Sequence, residues 1–577
     1  MTICGIKLTH DGAIALIDDG KLVFSYEMEK LDNNSRYSEF CISMERVGEI
    51  LGEHGYELQE IDQLVIDGWD DWDPATLIPG KPKRKYSLRI PVDGDKEVKI
   101  TEIAAYGHFV KEEENLLQAS TFTSKGHELA YKSYQHVSSH VLGAYCSSPF
   151  AVRKEDSFIL VWDGGMPPQL FYYRYQENEV LNLGHLFLLA GYMYINFSHE
   201  FAPFSSLEKD LSIAGKVMAY VALGEVVPEV LVRYREIFAE LNATVGHMEK
   251  NMDTVAVLTA EFISHAKEFH MAGKIEDRHM LTSFHAFLQE LLLENLQKKV
   301  REYPSFTRNL CFAGGSALNI KWNSSIRDSG MFERMWVPPF PNDAGSAIGT
   351  ACCEMIATDK IRALDWNVYS GPAVKGSESL PSIYSVCYCS LEDLAKILHV
   401  YNEPVVFLNG SAELGPRALG NRSILAAAVT PGMKKLLNMI KGREDYRPVA
   451  PICLEEDAAE VFSPGSPDPY MLYEHIVRDG WKDKVPAICH LDGTARLQTV
   501  NREENAAIHE LLGHYKKLSG VPLLCNTSAN FNGRGFFPDV ASVMVWDKVN
   551  FIWNDDKVFF KKQFHPQRLF SKESVVK

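Results

Sequence analysis

The chain has 577 residues, with 59 Lys and Arg against 76 Asp and Glu, a formal net charge of −17. Apolar residues at 46% and charged residues at 23% exclude a disordered chain and leave enough material for more than one packed core. The acidic balance excludes a broad nucleic-acid or anionic-membrane binder, which needs a basic surface to displace counterions, but leaves room for a local basic pocket.

Met1 to His10 show no basic segment followed by an apolar one, and no apolar run reaches ~18 residues, so neither a signal peptide nor a membrane span is expected. Strands are predicted at Ile3–Leu8, Ala13–Ile17 and Lys21–Tyr26, joined by turns at His10-Asp11-Gly12 and Asp18-Asp19-Gly20. The pattern returns at Phe158–Trp162, Asp163-Gly164-Gly165 and Gln169–Tyr175, which predicts an internally duplicated α/β domain. Met252–Tyr303 reads as helix throughout, from Leu, Phe and His recurring every three or four residues.

Leu310–Ala313 then reads as a strand delivering Gly314-Gly315 to a helix start, where free N–H groups can receive phosphate. A second strand–loop–helix follows at Met335–Val337 and Asp343-Ala-Gly345. Residues 366–385 are expected to be a linker between a domain at 1–365 and another at 386–577. The eleven cysteines contain no CxxC pair and read as reduced thiols of a cytoplasmic protein.

His136 and His140, four apart, project from one face of a helix. That spacing suits two imidazoles on one metal, and equally two ordinary helix histidines; Val137 stands where a zincin needs Glu. Asp163 and Asp343 each follow a strand in a glycine-containing turn. Either they converge on the two histidines, giving a donor set that favours Fe, Mn or Zn over Mg or Ca, or they only close their turns. His10, in the first hairpin turn, is a general-base candidate. Gly215-Lys216 either sets a Lys over a phosphate or starts an ordinary helix, and no Walker A loop surrounds it.

Residues 401–450 hold seven basic side chains (Arg417, Arg422, Lys434, Lys435, Lys441, Arg443, Arg447) against four acidic ones, a local +3 within the −17. Placed at turns and helix ends, and followed by Arg496 and the polar run Asn526–Asn530, they point to a small anion.

Together these segments resemble the O-carbamoyltransferase family that includes the nodulation-factor, tobramycin and hydroxymethylcephem carbamoyltransferases. The matching residues run in family order from His10-Asp-Gly-Ala13 through Gln135-His-x3-His140, Ala214-Gly-Lys-x-Met218, Phe312-Ala-Gly-Gly-x3-Asn319 and Asn342-Asp-x-Gly345. They continue through Glu413-x-Gly-Pro-Arg-Ala-Leu-Gly-x-Arg422, Arg443-Glu-x2-Arg-Pro448, Arg496-x-Gln-Thr-Val500 and Asn526-Thr-Ser528. The opening motif is most like the hydroxymethylcephem branch.

The resemblance implies an N-terminal duplicated domain of the actin-like ATPase/sugar-kinase superfamily and a C-terminal YrdC-like α/β domain. It implies that carbamoyl phosphate and Mg-ATP give carbamoyl adenylate, whose carbamoyl group passes to the hydroxyl of a small-molecule, natural-product acceptor, as in antibiotic biosynthesis. By residue match, Arg417, Lys441, Arg447, Arg496, Asn526 and Ser528 hold carbamoyl phosphate, while Gly215, Lys216, Gly314, Gly315 and Asn319 hold the nucleotide. His136, His140, Asp163 and Asp343 hold a divalent ion, Fe(II) ahead of Mn or Zn, and His10 is the base. Neither nucleic acid nor membrane is an expected partner, and an oligomer is compatible with the sequence. Acceptor choice falls to Asn33–Ser38, Trp69–Lys85 and Gly191–Ser206. The rival readings are a carbamoyl-adenylate enzyme acting on tRNA and a non-catalytic nucleotide-binding protein of the same fold.

Overall fold

The computed structural model describes residues 1–31, 33–38, 40, 44–68, 86–92, 96–102, 110, 114–123, 130–246, 248–273, 275–376 and 383–570. The Trp69–Lys85 loop lies outside the described residues. The chain divides into two compact units, one of residues 1–28 and 37–367, the other of residues 29–36 and 368–577.

In the first unit, β1 (Thr2–Lys7), β2 (Ala13–Asp18) and β3 (Lys21–Glu27) form the antiparallel meander read from the Asp-Gly turns. Asp11 takes φ +56, a left-handed conformation that Asp tolerates better than most residues, and so closes the first turn tightly. β4 (Gln63–Asp67) pairs parallel with β1, and β5 (Ser120–Thr123) and β6 (Ala130–Tyr134) extend the sheet to the order β3-β2-β1-β4-β6-β5.

After α1 (His136–Cys146) the pattern repeats. β7 (Ser157–Val161), β8 (Gln169–Arg174) and β9 (Glu179–His185) form a second meander. β10 (Asn309–Ala313) and β11 (Arg334–Trp336) add in parallel, giving β9-β8-β7-β10-β11. Each half thus has three antiparallel strands followed by two parallel ones in the same spatial order, which is the duplication expected from the sequence. Both first strands are wholly or almost wholly buried, as befits central strands covered on two faces.

The long helical stretch is broken, contrary to a single run over Met252–Tyr303. α2 (Pro228–Val245), α3 (Met252–Gly273) and α4 (Asp277–Arg301) pack through Tyr234, Phe262, Phe284 and Phe287. The Gly273 to Asp277 connection ends one helix and starts the next, a break that periodicity alone does not register because Leu and Phe continue across it. The helix expected to start after Gly314-Gly315 is also divided: a 3₁₀ turn at Gly315–Leu318 is followed by α5 (Ile320–Asp328), capped by the Asn319 side chain.

α6 (Ser346–Thr358) crosses α1 at backbone contact. A Cβ added to Gly349 would lie 2.1 Å from the Ser139 carbonyl oxygen, and one added to Gly143 would lie 3.1 Å from Gly349 Cα. Only glycine lets the two helices approach this closely, and that approach brings the N-terminal turn of α1 to the loop before α6.

The second unit is built on an eight-stranded mixed sheet. Its centre is formed by strands Val405–Leu408, Arg422–Ala426, Leu523–Ser528 and Ala450–Leu454, successive neighbours being antiparallel. Helices Leu391–Val400 and Ala506–Ser519 pack together against it with apolar faces that include Leu394, Leu398, Leu511 and Leu512. Glu29–Arg36 belongs to this unit although it departs from the end of β3. Among the described residues no helix is long and apolar enough to cross a membrane, and the cysteines are free.

The α1–α6 crossing makes a checkable statement. Gly349→Ala should lower the thermal unfolding midpoint by an amount corresponding to roughly 1–3 kcal/mol, the usual cost of overpacking; an unchanged midpoint in calorimetry would contradict the backbone contact.

Candidate functional site

The two candidate sites of the sequence lie one in each unit. In the first unit, α1 carries His136 and His140 one turn apart, and their rings meet edge to face with centroids 4.7 Å apart. Asp163 follows β7, and Asp343 opens the 3₁₀ turn before α6. One donor atom from each of the four lies within 4.8 Å of every other, so the convergence reading holds and the aspartates do more than close turns.

Three of the four are buried and the exception, Asp163, is half-buried. His136 Nε2 and His140 Nε2 stand 3.4 and 3.5 Å from Asp343 Oδ1. The fit to a divalent ion is supported by His140 Nε2, a buried nitrogen that makes no hydrogen bond among the described residues. Two imidazole nitrogens and two carboxylates are also the donor chemistry of a borderline ion.

The electrostatics tell the same story from the other side. Burial alone would lower the His136 pKa, but Asp67 and Asp343 beside it raise it to about 10. Asp343, whose burial alone would raise it, is held well below the carboxylate range by Lys7, His136 and His10. The cluster draws positive charge to itself.

His10 stands at the edge of this cluster. Its Nδ1 pairs with Asp11 Oδ2 at 2.9 Å, and its Nε2 lies 3.6 Å from Asp343 Oδ2. A neutral His10 donating from Nδ1 to Asp11 would carry its lone pair on Nε2, facing the site, which is the disposition a general base needs.

The glycine pair expected to meet phosphate also packs against this site. Gly314, at φ +86, passes so close to the Trp162 carbonyl that a Cβ would lie 2.4 Å from its oxygen. Gly315 N–H donates to Asp163 Oδ1 at 2.6 Å. Asn319 Oδ1 accepts from the N–H groups of Lys321 and Trp322. The groups read as open to phosphate are therefore orienting Asp163 and capping α5. Gly215 and Lys216 lie inside the helix Ser212–Tyr220, half-buried, at ordinary helical positions.

In the second unit the Glu413–Arg422 turn is built around one buried carboxylate. Glu413 Oε1 accepts from the backbone N–H groups of Leu419, Asn421 and Arg422 at 2.7, 2.7 and 3.0 Å. Arg422 is wholly occupied inside, donating to the carbonyls of Asn409, Asn421, Pro372 and Gly410. Asn526 donates to the Ala418 carbonyl and to Gln498 Oε1, tying the Arg417 turn to the strand beside Arg496.

The turn presents Arg417 to Arg443, Arg447 and Arg496, and like charges meet. Burial first, then Arg417, Arg443 and Arg447, push the Arg496 pKa well below its ordinary value. Burial, followed by Arg447, Arg36 and Arg417, pushes Arg443 down to about 9. Gathering guanidinium ions away from water is costly, and an anion among them would lower that cost. Arg443 was not among the ligands implied by the sequence, although its place in the basic run could have marked it.

Lys441 has a different place. Its Nζ donates to the Ser528 and Asn530 carbonyls at 2.7 and 2.9 Å and also to Asn530 Oδ1, while Ser528 Oγ donates to Asn530 Oδ1. These bonds hold the loop after strand Leu523–Ser528. Arg36, from the 29–36 segment, was also missed; nothing in its local sequence signals that it folds with residues 400 positions away.

Comparison with known proteins also gives two parts. The carbamoyltransferase N-terminus family model matches residues 2–352, and the carbamoyltransferase C-terminus model matches residues 396–551. Nodulation protein U of Rhizobium tropici is 44% identical over 98% of this chain and 96% of its own length. The 3'-hydroxymethylcephem-O-carbamoyltransferase of Streptomyces clavuligerus is 32% identical over 93% of this chain and 94% of its own. Identity is higher with the nodulation protein, so the likeness of the opening motif to the hydroxymethylcephem branch does not extend along the chain. Component A of (R)-2-hydroxyglutaryl-CoA dehydratase from Acidaminococcus fermentans aligns with a TM-score of 0.30 at 9% identity, over 61% of this chain and 96% of that chain. That likeness is too slight to argue fold from, and the architecture rests on the sheet order.

The arginine cluster has a stability consequence. Arg443 has a folded value below its unfolded one, so its penalty is full below pH about 9 and is relieved as pH rises toward the ordinary guanidinium range. Removing a cation at neutral pH should do the same. Arg496→Met should raise the thermal midpoint of the ligand-free protein and abolish the further rise that phosphate or pyrophosphate gives the wild type. A variant that is less stable without ligand, yet equally stabilised by phosphate, would contradict this.

Proposed function

The chain belongs to the carbamoyltransferase family, and we propose that it is an ATP-dependent O-carbamoyltransferase in which the second unit activates the carbamoyl group and the first transfers it. The observation that carries the proposal is the gathering of His10, His136, His140, Asp163 and Asp343 at one place in a carbamoyltransferase N-terminal domain. The architecture proposed is an actin-like ATPase/sugar-kinase unit, spanning about 1–365, and a YrdC-like unit from about 386.

In the second unit Arg417, Arg443, Arg447 and Arg496 bind the phosphate of carbamoyl phosphate, and Asn526 and Lys441 hold the loops that carry them. Water cleaves carbamoyl phosphate to carbamate and inorganic phosphate. A carbamate oxygen then attacks the α-phosphorus of Mg-ATP, forming carbamoyl adenylate and expelling pyrophosphate. The guanidinium groups neutralise the charge that accumulates on the phosphoryl oxygens.

In the first unit His10 Nε2 takes the proton of an acceptor hydroxyl as its oxygen attacks the carbamoyl carbon. The C–O bond to AMP breaks, AMP leaves, and the product is an O-carbamoyl ester. Asp11 holds His10 in the tautomer that can accept this proton. His136, His140, Asp163 and Asp343 would hold a divalent ion, Fe(II) ahead of Mn or Zn, which supplies Lewis acidity toward developing negative charge. The acceptor is a hydroxylated small molecule of natural-product type, a reading supported by the relative named for a cephem substrate. The net charge of −17 counts against a tRNA acceptor.

Two substitutions separate the half-reactions. His10→Asn should leave pyrophosphate release from ATP and carbamoyl phosphate near wild type, while lowering carbamoyl transfer about 10²–10⁴-fold. Arg417→Ala should lower both. Equal losses in the two assays from His10→Asn would refute the division of labour.

A further inference from the structure

Asp67 ends β4 and is fully buried, with no part in the donor set described above. Its Oδ2 lies 2.8 Å from His136 Nδ1, and its Oδ1 accepts from Ser139 Oγ at 2.6 Å. Ser139 also lies on α1, three residues beyond His136, and its hydroxyl spans from Asp67 to the His136 carbonyl. Both carboxylate oxygens therefore have assigned roles, one on the imidazole and one on the helix that carries it.

A neutral imidazole has a single N–H. Hydrogen-bonded to a carboxylate, that proton resides on Nδ1, and the lone pair then sits on Nε2. Nε2 is the His136 atom facing Asp343 Oδ1 at 3.4 Å. Lys7 completes the arrangement: its buried ammonium lies 2.9 Å from Asp343 Oδ2 and 3.8 Å from Asp67 Oδ2. It thus sits against one oxygen of Asp343 and leaves the other, Oδ1, toward the two histidines.

We propose that Asp67 is a positioning residue of the metal centre, fixing His136 so that Nε2 is the nitrogen offered to a divalent ion, with Lys7 restricting Asp343 to one coordinating oxygen. The inference rests on the metal-centre reading. Partners of this kind contribute to metal affinity and ligand geometry without touching the ion.

The test is a titration of chelator-treated, full-length protein with Co(II), following the visible ligand-field bands, for wild type, Asp67→Asn, Ser139→Ala and His140→Ala. Circular dichroism and thermal melts check that each variant is folded. Asp67→Asn should bind Co(II) about 10–100-fold more weakly, with shifted bands. Ser139→Ala should show a smaller loss in the same direction, and serves as the test if Asp67→Asn does not fold. His140→Ala, which removes a ligand, should lose the bands altogether. Wild-type affinity and unshifted bands in a folded Asp67→Asn, or in Ser139→Ala if it stands in, would overturn the role of Asp67. Absence of Co(II) binding by the wild type would instead overturn the metal-centre reading beneath it.

Discussion

Charges of one sign are brought together in each unit, and the signs are opposite. In the first unit Asp67, Asp163 and Asp343 converge around Lys7 and the histidines. In the second, Arg417, Arg443, Arg447 and Arg496 crowd one another until Arg443 falls to about 9. Withdrawing like charges from water costs several kcal/mol per ion unless a counter-charge compensates them. In the proposed enzyme a bound ion or substrate supplies counter-charge to each cluster. One asks for a cation and the other for an anion, and the surrounding folds are arranged to keep each cluster intact.

Much of the structure can be understood as support for these two clusters. Gly143 and Gly349 allow α1 and α6 to touch, which brings the histidines to Asp343. Gly314 turns over the Trp162 carbonyl so that Gly315 can hold Asp163. Glu413 gathers three N–H groups to shape the Arg417 turn, and Arg422 is bound to four carbonyls behind it. These glycines and buried ionic groups carry no chemistry of their own, and each fixes the position of one that does.

The sequence made legible whatever depends on local pattern. Alternation between Asp-Gly turns located both meanders, and the four-residue spacing of His136 and His140 placed them on one helix face. The charge excess of residues 401–450 marked Arg417, Arg443 and Arg447, which meet in the second unit. What remained hidden depends on tertiary approach. Asp67 lies at the end of an ordinary apolar strand, Lys7 alternates within another, and Arg36 belongs by fold to a unit that begins over 300 residues later. Hidden for a related reason is the contact at Gly314-Gly315, where an N–H group meets the Asp163 carboxylate after the first strand of the second meander.

In the proposed reaction the carbamoyl group passes through a mixed anhydride with AMP. This route is tested most directly by incubating the protein with ATP and carbamoyl phosphate labelled with ¹⁸O at the carbonyl, then weighing the AMP by mass spectrometry. If carbamate, with one of its two equivalent oxygens labelled, attacks the α-phosphorus, one oxygen stays with the phosphate when the carbamoyl carbon is later attacked by an acceptor or by water, so about half of the AMP carries ¹⁸O. Unlabelled AMP, or carbamoylated product formed without AMP, would contradict the account.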